Sequence, residues 1–339
     1  MANPTSSPVR LKDIAQDLNV SVMTVSKVVR GCVDVGAETR SRVLARIKEL
    51  NYQPNWVARS LAGRRTFMIG LVVPDLMHSF FAEIAKGVAK AIRPLGYDVV
   101  ICNSEEDCGV ESSEVDRLLA RQVDGLILAS AQPPGSTELF ERIEARNVPF
   151  VLIDRRFAGT RAPYVGADDR TIGHLATTHL IERGCRQVAH IAGPPTATGL
   201  GRLEGYREAL AEAGLRVPDA YVVRATDDAS AYEVTRGLLE VEPRPDGIFG
   251  YNDPTAAGAM KAVLEAGIGI PESVKVIGVG NVHYSDLLRV PLSTIDQSSH
   301  SIGEQAAEIL TKSIGSKRRR PPRTVIMQPK LIVRESTGG

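Results

Sequence analysis

Apolar positions in the first fifty residues recur with the spacing of short helices. Leu11, Ile14, Ala15 and Leu18 fall at i, i+3, i+4 and i+7, one stripe of a two-turn helix that Asn19 interrupts. Ser21 offers the short oxygen of an N-cap, and Val20 and Val25 occupy the two staple positions around it. A second helix is therefore predicted over 22–29, burying Val25, Val28 and Val29 and turning Val22, Met23, Thr24, Ser26 and Lys27 outward. A third is read over 38–50, with Val43, Leu44, Ile47 and Leu50 inward and Arg40, Arg42, Arg46 and Lys48 mostly outward. Two short helices joined by a tight turn, with a third completing a small core, make a helix-turn-helix, whose second helix enters the DNA major groove. The same pattern also suits a plain three-helix bundle. What favours DNA is the outward face of the second helix: Val22 and Met23 have no packing duty there, and thymine methyl groups are one natural partner for them.

The pattern changes after Pro54. Asn55 is a capping residue, 56–62 reads as a short helix, and Gly63 closes it at a C′ position. Seven residues are too few for a stable isolated helix, so this segment is expected to form only against a symmetry mate, against DNA, or both; a plain linker is the alternative. From Phe67 onward short apolar runs alternate with helical patterns. The runs are MIGLVV (68–73), YDVVIC (97–102), DGLILA (124–129), PFVLID (149–154), QVAHIAG (187–193), YVVRA (221–225), DGIFGYND (246–253) and VKVIGVG (274–280). Wholly apolar strands separated by helices mean parallel sheets covered on both faces, here two units in tandem with a cleft between them. Ligands in such folds sit at the C-terminal ends of the strands.

Charge alters the picture. The whole chain of 339 residues has 41 basic and 40 acidic side chains, a net +1 that argues against a polyanion partner. Residues 1–65, however, carry eleven basic against five acidic side chains, a surplus of +6 that leaves −5 on the remainder. A cationic head on an anionic body suggests a nucleic-acid-binding module joined to something else. Cys32, Cys102, Cys108 and Cys185 form no CxxC pair, which fits reduced thiols in a cytoplasm. The first eight residues have no apolar stretch and no run of about 18 apolar residues occurs, so neither export nor a membrane span is expected.

Enzyme signatures are missing. Gly199, Gly201 and Gly205 are spaced GxGxxxG rather than GxGxxG after a strand, and there is no GxxxxGK[ST], HExxH or GxSxG. His174 and His179 lie five apart on one predicted helix without a third ligand, so a structural role is expected and no metal or cofactor. The run from Lys317 to Arg320 reads as a solvated loop.

LKDIAQDLNVSVMTVSKVVRG and ETRSRVLARIKELNYQPNWVARSLAG strongly resemble the N-terminal segment of the LacI/GalR family of bacterial transcription regulators, and the likeness extends over nearly the whole chain. It implies a small all-α helix-turn-helix head and an α/β two-lobed, periplasmic-binding-protein-like core of two parallel-sheet, Rossmann-like lobes. The domains would be a flexible terminus at 1–8, the DNA-binding head at 9–53, a hinge helix and linker at 54–65, and an effector-binding and dimerisation core at 66–339. The N-lobe would take about 66–168 and 297–323, the C-lobe about 169–296 and 324–339. By the same resemblance Val22, Met23, Thr24 and Lys27 read bases, and Ser21, Ser26, Asn51, Arg59, Arg64 and Arg65 meet phosphates. Ala58 allows close approach in the minor groove, where Leu61 wedges between base pairs.

In the core, the family's ligand positions fall on Phe80, Phe81, Asp154, Arg202, Asn252, Asp253, Gly280, Asn281 and Gln297. Phe80 and Phe81 read equally well as core. Many sugar-responsive members carry an aspartate after the strand VKVIGV, where this chain has Gly280 and Asn281. With Arg202, Arg155 and Arg156 nearby, that departure points to a sugar or a sugar acid. The expectation is thus a cytoplasmic, homodimeric repressor of a pseudo-palindromic double-stranded DNA operator, controlled by a small carbohydrate-like effector and not an enzyme. A two-lobed solute-binding protein, which would need an export signal and no basic head, and an α/β enzyme acting on a sugar are the alternatives.

Overall fold

The computed structural model describes residues 9–29, 34–52, 65–157, 159–316 and 321–339, in two units that divide between Thr66 and Phe67. In the first unit lie α1 (Leu11–Asp17), α2 (Val22–Val29) and α3 (Ala37–Glu49). Each gives one fully buried side chain to a common centre: Ile14, Val25 and Val43. Asn19 makes the turn between α1 and α2 at φ 52°, a left-handed conformation that its short amide tolerates. Ser21 caps α2, its Oγ accepting the Thr24 N–H at 3.0 Å. One inward expectation is corrected: Leu44 is 49 % exposed. The buried arc of α3 is set by Val43 and Ile47, four apart, and Leu44 sits about 100° round the helix from Val43.

The second unit alternates strand and helix: β1 (Met68–Val73), α4 (Ser79–Ile92), β2 (Asp98–Asn103), α5 (Cys108–Ala120), β3 (Gly125–Leu128), α6 (Glu138–Ala145), β4 (Phe150–Ile153) and β5 (Tyr164–Ala167). It continues with α7 (Asp169–Glu182), β6 (Val188–Ala192), α8 (Ala197–Glu212), β7 (Val222–Arg224), α9 (Asp228–Leu239), β8 (Gly247–Gly250), α10 (Asp253–Glu265), β9 (Lys275–Val279) and β10 (Ser293–Asp296). It closes with α11 (Ser299–Ser313), β11 (Thr324–Met327) and β12 (Lys330–Ile332). Two six-stranded sheets result, ordered β2-β1-β3-β4-β5-β11 and β7-β6-β8-β9-β10-β12; all neighbours are parallel except β12 against β10. Most of the apolar runs are inner strands covered by helices on both faces, hence their lack of alternation. β5 and β10 give no comparable signal, being four residues each with Gly166 in one and Ser293, Thr294 and Asp296 in the other.

The chain passes between the lobes three times: after β5, after β10, and between β11 and β12. The last passage corrects the expected boundary at 323/324. Thr324–Met327 pairs in parallel with Tyr164–Ala167 and belongs to the N-lobe, and only Lys330–Ile332 joins the C-lobe. The physical reason is that β5 presents a row of backbone N–H and C=O groups, which the extended TVIM segment takes up.

Candidate functional site

In the head, α2 turns Val22 (47 % exposed) and Met23 (61 %) to solvent, with Thr24, Ser26 and Lys27 half-buried beside them. The Ser21 hydroxyl is shared between capping and a 2.9 Å contact to Thr24 Oγ1. Lys27 Nζ is paired with Asp34 at 2.5 Å, an exposed ion pair that DNA phosphate or a base can replace at little cost. Arg42 and Arg46 stitch the head together: Arg42 donates to the Leu18 carbonyl and Arg46 to Asp17 and Glu49. Asn51, at φ 46°, ends α3, and Arg65 is exposed. Ala58, Arg59, Leu61, Arg64, the expected hinge helix and the basic run 317–320 lie outside the described residues.

In the second unit, polar side chains converge where the strands of both sheets end. Arg202, on the second turn of α8, is 3 % exposed. Its Nε donates to Asp169 Oδ1 at 3.0 Å, Nη1 to the Tyr251 carbonyl at 2.7 Å, and Nη2 to Gln297 Oε1 at 3.0 Å. The guanidinium also lies over the Tyr251 ring, 4.7 Å from its centroid, so one planar fork joins the ends of β8 and β10 to the start of α7. Gly173 and Gly205 make this possible. A Cβ on Gly173 would lie 2.1 Å from the Arg202 carbonyl oxygen, and one on Gly205 2.0 Å from that of Arg170, so α7 and α8 pack backbone to backbone.

From the N-lobe, Arg155 binds Glu106 in a two-pronged ion pair (2.7 and 2.5 Å) and donates to the Ser130 carbonyl at 3.2 Å. Asp154 sits at φ 61°, its carbonyl accepting from the Tyr164 hydroxyl at 3.0 Å. Burial raises the Asp154 carboxyl above the ordinary aspartate range, against the pull of Arg155 and Arg202. Burial likewise pushes Asp169 up to about 6, with Arg202 opposing. His78, half-buried before α4, bridges the lobes: its Nε2 lies 3.0 Å from Asn252 Nδ2. Burial lowers the His78 imidazole to about 4, leaving it neutral at pH 7.

The cleft thus gathers Asp154 from one lobe and Arg202, Asn252 and Gln297 from the other, as the sequence suggested. Phe80 and Phe81 pack edge-on to each other, rings 5.1 Å apart, and lie in the N-lobe core at 4 % and 6 % exposure, with the His78 ring against both. One expectation is corrected. Asp253 is fully buried and committed to its own lobe, accepting from Val282 N, Ser285 Oγ and Thr294 Oγ1. Gly280 N donates to the Ile295 carbonyl, and Asn281 is held by Arg334 through its Oδ1 at 2.7 Å. These contacts tie the loop after β9 to β10. His78, Tyr251, Asp169 and Glu106 were missed. His78 had a weak signal, two residues before SFF at a helix start; Asp169 meets Arg202 across 33 residues and had none. His174 pairs with Glu212 and His179 with Thr337, which satisfies both within the fold.

Known proteins share this organisation. Residues 10–55 match the profile described as bacterial regulatory proteins, lacI family, and residues 66–335 that described as periplasmic binding proteins and sugar binding domain of LacI family. The ribose operon repressor of Halalkalibacterium halodurans is 37 % identical over 330 residues, 97 % of either chain. The HTH-type transcriptional repressor PurR of Escherichia coli is 35 % identical over 96 % of either chain. Among solved structures, the lac repressor dimer bound to operator and the anti-inducer ONPF superposes with a TM-score of 0.84 at 28 % identity, covering 98 % of this chain and 99 % of that one. A complex of the transcriptional regulator CelR with cellobiose gives 0.73 at 31 % identity, over 97 % and 99 %.

Proposed function

The chain belongs to the LacI family of bacterial transcription regulators, and from that premise we propose a cytoplasmic repressor that grips a two-fold symmetric operator as a homodimer and is controlled by a neutral sugar between its lobes. Val22, Met23, Thr24 and Lys27 read bases; Ser21, Ser26, Asn51 and Arg65 anchor phosphates, with Arg59 and Arg64 from the hinge. Ala58 and Leu61 enter the minor groove. Dimerisation finds support in a groove of about 400 Å³ along α10, where apolar Ala257, Met260, Leu264, Leu288 and Val290 are rimmed by Lys261, Glu265 and Arg289. Leu287, 77 % exposed, adjoins it in sequence and adds apolar surface that a second copy would cover.

The observation that carries the sugar reading is the state of the two arginines. Arg155 is neutralised by Glu106 and Arg202 by Asp169, so neither buried guanidinium is left to bind an acid, and Arg156, the third arginine there, is exposed. What the cleft offers instead is a set of fixed dipoles and short polar side chains suited to hydroxyls. The sugar-acid version suggested by the bare sequence therefore gives way to a neutral one, and D-ribose is the first candidate, given the ribose repressor's similarity.

Thermal-shift titration with D-ribose, other neutral sugars, uronic and aldonic acids and a purine base tests this. Stabilisation by a neutral sugar alone is expected; stabilisation by an acid or a purine alone overturns it. Selection from random duplex DNA should enrich a two-fold symmetric site, and failure to do so with and without sugar would remove the operator reading.

A further inference from the structure

Two helix N-caps meet across the cleft, and their hydrogens do not match. His78 caps α4, its Nδ1 accepting the Phe80 N–H at 3.2 Å. Asn252 caps α10, its Oδ1 accepting the Thr255 N–H at 2.9 Å within a reciprocal capping box. A backbone N–H can only donate, so each cap fixes which side-chain atom faces its own helix. With Nδ1 accepting, a neutral imidazole carries its proton on Nε2. With Oδ1 accepting, Asn252 presents its NH2 group. These two donors face each other at 3.0 Å, one from each lobe. Reversing the imidazole tautomer would turn an Nδ1 proton against the Phe80 N–H, and flipping the amide would turn its NH2 against the Thr255 N–H. Protonating the ring makes both nitrogens donors; burial opposes it together with Arg202, against Asp75, Glu106 and a hydrogen bond from the ring to the His78 carbonyl.

We infer that His78 and Asn252 are a donor pair completed by the ligand, His78 Nε2–H and Asn252 Nδ2–H both donating to one oxygen of the bound sugar. An ether or hydroxyl oxygen has two lone pairs and satisfies both at once. His78 is thereby a specificity-determining residue of the cleft, and lobe closure is unfavourable until that oxygen arrives. This rests on the cleft being the sugar site, so its test has one arm that does not depend on sugar.

Full-length protein labelled with 15N-histidine, with His78→Ser identifying the resonances, reports the tautomer directly. The Nε2–H form is expected in free protein, with its signal moving on addition of D-ribose. His78→Ser keeps a good α4 cap, and its hydroxyl, attached directly to Cβ, stops well short of the Nε2 position; it should bind D-ribose about three- to tenfold more weakly by calorimetry. An Nδ1–H tautomer overturns the inference and leaves the sugar reading standing, because Nε2 would then simply accept from Asn252. Equal affinity of wild type and His78→Ser for D-ribose overturns it as well. An Nε2–H tautomer with no D-ribose binding overturns the pair's role together with the ribose reading.

Discussion

Arg202 spends its fork on three oxygens from three segments, Asp169, Tyr251 and Gln297. Lysine supplies charge but not that planar geometry. Arg202→Lys is therefore expected to lower sugar affinity at least tenfold, roughly 1.4 kcal/mol, as read by calorimetry, while operator binding without sugar changes little. In the head, Lys27 pairs with exposed Asp34, so Lys27→Ala should leave the melting temperature almost unmoved but relax preference at one base position, by about 1–3 kcal/mol. Arg65→Ala should instead weaken all sequences alike and flatten the salt dependence. Buried His190 gives a pH test. Its ring stacks on Phe249 at 4.4 Å, and burial lowers it to about 3. As pH falls below 6.5 the unfolded chain takes up the proton first, so stability drains away down to about 3, by about 1.4 kcal/mol per pH unit. Chemical denaturation of His190→Phe at pH 7 and pH 5 should show a smaller acid loss than wild type; an equal loss contradicts the assignment. At this scale what was readable is the place of Arg202, near a helix start and at the strand ends, where it now meets Tyr251 and Gln297. The sequence misled where partners come from afar: Asp253 looks like a ligand until Ser285 and Thr294 are seen to saturate it.

Helices α7 and α8 touch through glycine, and that contact holds the Arg202 backbone in place. Adding one methyl at Gly173 must push the helices apart, since the obstacle is a carbonyl oxygen at 2.1 Å and not a movable side chain. Gly173→Ala should cost about 1–3 kcal/mol of stability and weaken sugar binding more than operator binding, measured side by side on one preparation. The cap at Ser21 is worth about 1 kcal/mol of head stability, so Ser21→Ala should lower operator affinity for every sequence. Elements with strong periodicity, α2 and β1 above all, were legible to the residue. The four-residue strands β5 and β10 were not, because a short strand finished by its neighbours needs no pattern of its own.

Across the whole molecule the near-zero net charge is a head of +6 beside a remainder of −5, and a steep salt dependence should therefore belong to the operator and not to the sugar. Where effector and operator binding are linked, whatever factor the effector imposes on operator affinity must be returned by operator on effector affinity; paired titrations that fail to match would exclude a two-site equilibrium. The three passages between lobes set a further bound. β5 and β11 adjoin at one margin of the N-lobe sheet, and β10 and β12 at one margin of the C-lobe sheet. Between Met327 and Lys330 stand only Gln328 and Pro329, three peptide links that reach about 10 Å when taut. These margins are thus moored to each other, and the lobes can swing but not drift apart. Any opening turns about the mooring, so the unmoored strands β2 and β7 travel furthest, and a pair of spectroscopic labels there would read cleft motion with the greatest amplitude.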